Sequence, residues 1–420
     1  LAGLKRGTTW VAEHELWLLA VVVPVLMATN RTPPPLTLAA LALVPVGWVA
    51  RKVAFGYLTF PTPLDLPIAL LFLAVLLSLY ASVDLGTSVI GLHKVIAEVA
   101  LFYGIVNGLR TPRSIRLFTV LFLLVGLAAA GASLLVMCRP SGKLPLLSSL
   151  YSSLPTVVPR SVNANYIAGT VVLFLPLSLS LFVFGPRTVS RLLSGPILLV
   201  VGGTLALTQS RSALSGAVIA LLLLAIWRSR WFLLGIPVLA GVGWILVQRV
   251  GIEELMGPLT FMDTAVNSLQ GRWELWQRAI YIMQDFPYTG ISIGSFDSVV
   301  DVMYPLFLIG PDAVVFHAHN LYLQTGVEFG IPGLVAYMGL LTAFACTAWT
   351  ILRSPASTWG FRAVTIGLLS GLVAHLIYGL TDAIVVANKT GTFIWAAFGL
   401  VVAIRRVIGE DSMAASETGS

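Results

Sequence analysis

The chain has 420 residues, of which 57% are hydrophobic and 10% charged; a soluble domain carries about 25% charged residues. Its net charge of +7 is spread as single or paired Lys and Arg residues between apolar runs, not gathered on one solvated face. Together with a mean hydropathy of +0.93, this excludes a soluble enzyme and a nucleic-acid binder and leaves an all-α polytopic membrane protein.

A membrane-crossing helix needs about 17 to 25 mostly apolar residues. That rule predicts twelve spans, at 15–30, 35–50, 64–83, 87–109, 117–138, 163–185, 194–209, 212–227, 231–248, 321–351, 363–386 and 391–404. With the N-terminus inside, the inner loops hold 15 Lys and Arg residues and the outer loops 9. The bias places both termini in the cytoplasm and the 249–320 loop outside. Four regions are expected: spans one to nine in 1–248, the outer loop in 249–320, spans ten to twelve in 321–404, and a tail in 405–420. Lys5 and Arg6 precede the first apolar run, and no cleavage pattern follows it. Cys138 and Cys346 sit at or inside spans and suggest neither a disulfide nor a metal site.

Polar residues concentrate near the outer loop. Thr208-Gln209-Ser210-Arg211-Ser212 joins spans seven and eight so tightly that Arg211 must lie at the outer membrane surface. It serves there either as a lipid anchor or as an anion ligand. Residues 271–285 predict a helix with Trp273, Leu275, Trp276, Ala279, Ile280, Ile282 and Met283 on an apolar arc. Glu274 and Arg278, at i and i+4, are expected to pair on its surface. Arg272 projects from the apolar arc, where a cation either meets an anion or snorkels to lipid headgroups. Phe286 to Gly290 ends this helix, and Ile291 to Phe296 reads as a Gly-rich turn without the lysine of a phosphate loop.

His317-Ala318-His319-Asn320 stands at the mouth of span ten. On a helix the two imidazoles would face apart, and the nearby acids lack metal-ligand spacing, so no metal is expected. A neutral imidazole is instead a general base. Of the remaining membrane charges, Lys94 and Glu98 are expected to pair, Asn163 to cap span six, and Asp382 lies near the outer end of its span. Two guanidiniums and a base at one membrane face fit transfer from a lipid-diphosphate donor, with arginines rather than a metal neutralising the leaving group.

Ser210-Arg211, Gly271-Arg272 with Trp276 and Ala279, Pro287 to Gly290, and His319 to Leu323 with Glu328, Gly330 and Gly333-Leu334 occur here in order. This set resembles the O-antigen ligase and polymerase superfamily. The resemblance implies a GT-C-like glycosyltransferase of the bacterial inner membrane, with its site facing the periplasm and no cofactor. The implied donor is an undecaprenyl-diphosphate-linked O-antigen and the implied acceptor a sugar hydroxyl of lipid A-core. Arg211 and Arg272 would bind the diphosphate and His319 would activate the acceptor, with His317 the alternative base. Asn320, Tyr322 and Glu328 are expected to line the substrate. Polymerases of the superfamily tend to have two sizeable periplasmic loops, and the short 139–162 loop favours a ligase. The rivals are a polymerase, a protein-directed oligosaccharyltransferase, and a non-enzymatic flippase. A flippase would show paired broken helices and midplane charges.

Overall fold

Apolar runs bounded by capping residues fold as helices along the chain. The computed structural model describes residues 2–137, 162–186, 188–234, 269–310, 315–384 and 386–418, with isolated helical positions at 237, 241, 245 and 248. The first helices are α1 (Ala2–Glu13), α2 (Glu15–Met27), α3 (Pro34–Phe55), α4 (Asp65–Ser78), α5 (Leu85–Gly108) and α6 (Pro112–Val136). Then come α7 (Ala164–Val171), α8 (Phe174–Phe184), α9 (Thr188–Thr208) and α10 (Arg211–Arg228). A layer holding α11 (Leu269–Asp285) and α12 (Phe296–Met303) precedes α13 (Leu321–Arg353), α14 (Trp359–Tyr378) and α15 (Gly391–Thr418).

Among the described residues, nine helices are long and apolar enough to cross a membrane, or ten if α1 and α2, bent by 62°, count as one broken span. Asp65–Ala81 is apolar but shorter. The expected span 231–248 lies largely outside the described residues, as do the loop segments 139–161 and 249–268. The expected tail is helical as far as Thr418. The starts of several helices follow from their sequence. Asp84 accepts the Thr87 amide, Thr111 and Ser114 form a reciprocal capping box, and Asn163 accepts the Asn165 amide. Leu66, Leu199 and Val335 are 68%, 77% and 62% exposed, which suits lipid as the surrounding medium.

Helix α13 is broken near its start, and the break has a chemical cause. Pro332 has no amide hydrogen, so it cannot serve the Glu328 carbonyl four residues back. Gly330 adopts φ 68°, ψ −177° inside the helix. The orphaned groups are taken up by the segment after α11. Ile291 N–H donates to the Val327 carbonyl at 2.9 Å, and Ser292 N–H donates to that of Glu328 at 3.1 Å. In return Ile331 N–H donates to the Pro287 carbonyl at 2.7 Å. A side chain at Gly290 or Gly330 would collide with the opposite backbone, so both glycines are required by this approach. The docked layer has its own apolar core, in which Leu275, Ala279, Ile282, Phe296, Val300 and Val327 are buried together.

Gly330→Ala puts a Cβ 2.7 Å from the Tyr288 carbonyl carbon at a φ that disfavours it. We expect a loss of about 1–3 kcal/mol, seen as a lower unfolding midpoint in detergent. Gly339→Ala, whose nearest contact is 3.7 Å away, should leave the midpoint in place. An unchanged midpoint in Gly330→Ala would show that the layer does not dock this way.

Candidate active site

The histidine motif is not helical. Asn320 caps α13, its Oδ1 accepting the amides of Tyr322 and Leu323 at 3.0 Å each. Its Nδ2 donates to the Leu380 carbonyl at 3.0 Å, and Leu321 N–H donates to that of Gly379 at 2.7 Å, tying the motif to the end of α14. His319 sits at φ +48°, a left-handed conformation uncommon outside glycine. This turn brings the two rings to 4.3 Å between centroids, at 61°. The His319 amide donates to His317 Nδ1 at 3.2 Å.

Across from the turn stands Asp382. Its Oδ1 is 3.5 Å from His319 Nδ1, a nitrogen that has no hydrogen-bond partner among the described residues, and it also accepts the Ala383 amide at 2.9 Å. Burial works to raise the carboxyl, but the neighbouring histidines and the Ala383 amide outweigh it and hold Asp382 down at about 2. Burial, together with the charges of His319 and Arg272, pushes His317 down to about 4, against the pull of Asp382. His317 is therefore neutral and Asp382 ionised near pH 7.

Arg272, in the first turn of α11, is lowered by burial, while the charge of Asp382 and the Tyr378 hydroxyl oppose that. Its Nε is buried without a hydrogen-bond partner among the described residues. Arg211 opens α10 close enough to Arg272 for the two charges to repel. Arg211, Arg272, His317 and His319 thus meet in one cluster, joined by Asp382. Two neighbouring guanidiniums, one of them beside the Asp382 carboxylate, suit an anion with several oxygens. The same geometry brings possible metal-ligand atoms of His317, His319 and Asp382 within 4.8 Å of one another. Two imidazoles and a carboxylate can hold a divalent cation, although the guanidinium beside them opposes a second positive charge.

The other expected residues are engaged within the chain. Tyr322 Oη donates to the Leu376 carbonyl at 3.1 Å. Glu328 is 6% exposed, and its Oε1 accepts from Gln324 Nε2 at 3.1 Å and from Gly294 N–H at 3.4 Å. Glu98 accepts the Ala387 amide at 3.0 Å in place of the expected partner Lys94.

Two expectations for α11 need correction. Trp273 and Ile280 are 60% and 44% exposed, because at about 100° per residue they lie on the far side of the helix from Leu275 and Ile282, which are buried. Glu274 is 5% exposed and does more than pair with Arg278, 3.7 Å away. Its carboxylate accepts the amides of Phe307, Leu308 and Ile309 at 2.7, 3.0 and 3.2 Å. A buried charge is tolerated where several donors meet it.

Residues 196–338 match the family model described as O-antigen ligase. The matched stretch contains every motif on which the resemblance was drawn; Asp382 lies beyond it. No curated protein matches the chain.

Glu274→Ala leaves three buried or half-buried amides without an acceptor, at a cost of about 1–3 kcal/mol each where they stay dry. Amide hydrogen exchange at 307–309 should accelerate at least about tenfold. Exchange at the parent rate would mean that another group holds this turn.

Proposed function

We propose, from the match of residues 196–338 to the family model described as O-antigen ligase, that the protein transfers an undecaprenyl-diphosphate-linked O-antigen to lipid A-core. The observation that carries this reading is the meeting of Arg211 and Arg272 with His319 and Asp382 in one cluster. The site faces the periplasm, the protein lies in the inner membrane, and both termini are cytoplasmic. The orientation rests on the distribution of basic residues between loops, and the inner membrane on the resemblance to the O-antigen ligase family.

A hydroxyl of a core sugar attacks the anomeric carbon of the first glycan residue. The bond from that carbon to the phosphate oxygen breaks, and undecaprenyl diphosphate leaves with the bonding pair. Arg211 and Arg272 balance the charge that develops on it. His319 presents Nδ1 to Asp382, which leaves Nε2 to take the hydroxyl proton. Asp382 then stabilises the imidazolium, as a carboxylate does behind a general-base histidine. The charge on the leaving group is met by arginines, so the reaction proceeds without a metal. One displacement inverts the anomeric centre, and NMR of the new linkage tests this; a retained configuration would require a two-step route.

Transfer is measured in detergent with EDTA, undecaprenyl-diphosphate-linked glycan and lipid A-core. The parent should turn over, and His319→Ala and Arg272→Ala should each lose about 10²–10⁴-fold. A parent that only lengthens carrier-linked glycan is a polymerase. A parent that stops with EDTA and restarts with a divalent cation overturns the metal-free route.

The pH profile separates the two histidines. From pH 5 to 8, His317, at about 4, stays neutral and Asp382, at about 2, stays ionised. His317→Gln should therefore keep the shape of the rate profile across that window. A limb that disappears in this variant would make His317 the base.

A further inference from the structure

His319 holds a strained backbone conformation next to a carboxylate that it does not quite reach. A non-glycine residue at φ +48° costs about 1–3 kcal/mol and persists only where its surroundings over-determine it. On its C-terminal side the restraint is the Asn320 cap. On its N-terminal side it is Gln324, a residue inside the first turn of α13 that is 2% exposed. Gln324 Oε1 accepts the Ala318 amide at 2.8 Å, and Ala318 is the residue between the two histidines.

The other end of the same side chain is also held. Gln324 Nε2 donates to Glu328 Oε1 at 3.1 Å. A carboxylate offers only acceptors, so it fixes which end of the amide is nitrogen and leaves the oxygen for Ala318. Glu328 Oε1 also accepts the Gly294 amide, within the segment that docks on the break of α13. The hydrogen bonds thus run from the docked turn through Glu328 and Gln324 to the peptide that aims both imidazoles.

We propose that Gln324 is a positioning residue for the base, and that Glu328 acts through it by fixing its amide. This rests on the reading of His319 as the base. Gln324→Met keeps the volume and removes the acceptor, so the Ala318 amide loses its partner and the His319 ring loses its aim at Asp382. The structure predicts a kcat 10- to 100-fold lower, with the KM for the lipid-linked donor within about twofold of the parent. Glu328→Gln weakens the hold on the amide and should lower kcat less, in the same direction.

A double-mutant cycle separates positioning from bulk stability. Turnover is followed with radiolabelled glycan in the parent, Gln324→Met, His319→Ala and the combination. If Gln324 acts through His319, adding Gln324→Met to His319→Ala changes nothing further. Losses that multiply in the combination, or Gln324→Met at parental kcat, overturn the proposal. If Gln324→Met does not fold, the same cycle with Glu328→Gln decides, by the same two outcomes. A parental rate in His319→Ala alone would instead remove the base assignment, and the positioning role would fall with it. A multiplicative cycle around an essential His319 would leave that assignment intact.

Discussion

The functional end of this molecule depends on one missing hydrogen bond donor. Pro332 cannot serve the Glu328 carbonyl, and the left-handed turn at Gly330 takes Ile331 out of reach of Val327. In a membrane-spanning helix such orphaned groups are costly unless protein covers them. Here the chain after α11 supplies Ile291 and Ser292 amides and the Pro287 carbonyl, so the break becomes a docking site. That exchange, with the apolar core behind it, docks the layer that carries Arg272. The break also leaves Glu328 in the last helical turn before it, where its side chain reaches both Gly294 and Gln324.

The second constraint is electrostatic. Arg211 and Arg272 repel each other, and Asp382 is the ionised carboxylate beside Arg272 among the described residues, while His317 stays neutral. Two neighbouring guanidiniums repel less around a diphosphate, so the same charges would select the proposed donor. Glu274 shows the opposite solution. Its buried carboxylate is met by three amides and Arg278, and this holds the 307–309 turn beneath the exposed Phe307 and Leu308. One acid holds a turn together, and the other faces His319.

Hydropathy and the Asn163 cap were legible in the sequence because both are local. Apolar runs show in the sequence whatever their neighbours are, and Asn163, the expected cap, accepts an amide two residues ahead; Asp84, Thr111 and Asn320 cap by the same local contact but were found only in the structure. Arg211, Arg272, His317 and His319 stood out for a related reason: polar groups beside so much apolar sequence are conspicuous. Asp382 gave only a faint signal, a carboxylate near the end of a span, because nothing in its local sequence says which residues it will face. The face of α11 was misjudged where a broad apolar arc took in Trp273 and Ile280, half a turn from the buried side.

What tertiary structure alone decided are the contacts between segments far apart in sequence. Local preference would have placed the two histidines on opposite sides of a helix; the left-handed turn at His319, held by Asn320 and Gln324, puts their rings together. The pairing of His319 with Asp382, the docking of the 287–292 turn on a broken helix, and the use of Glu328 to orient Gln324 have the same origin. Each is a hydrogen bond or charge contact formed because burial leaves a polar group no water to turn to, and which partner it finds depends on how the helices pack. Composition and local spacing determined that this chain is a membrane protein with its polar chemistry near 208–334. Packing decided which of those residues face one another.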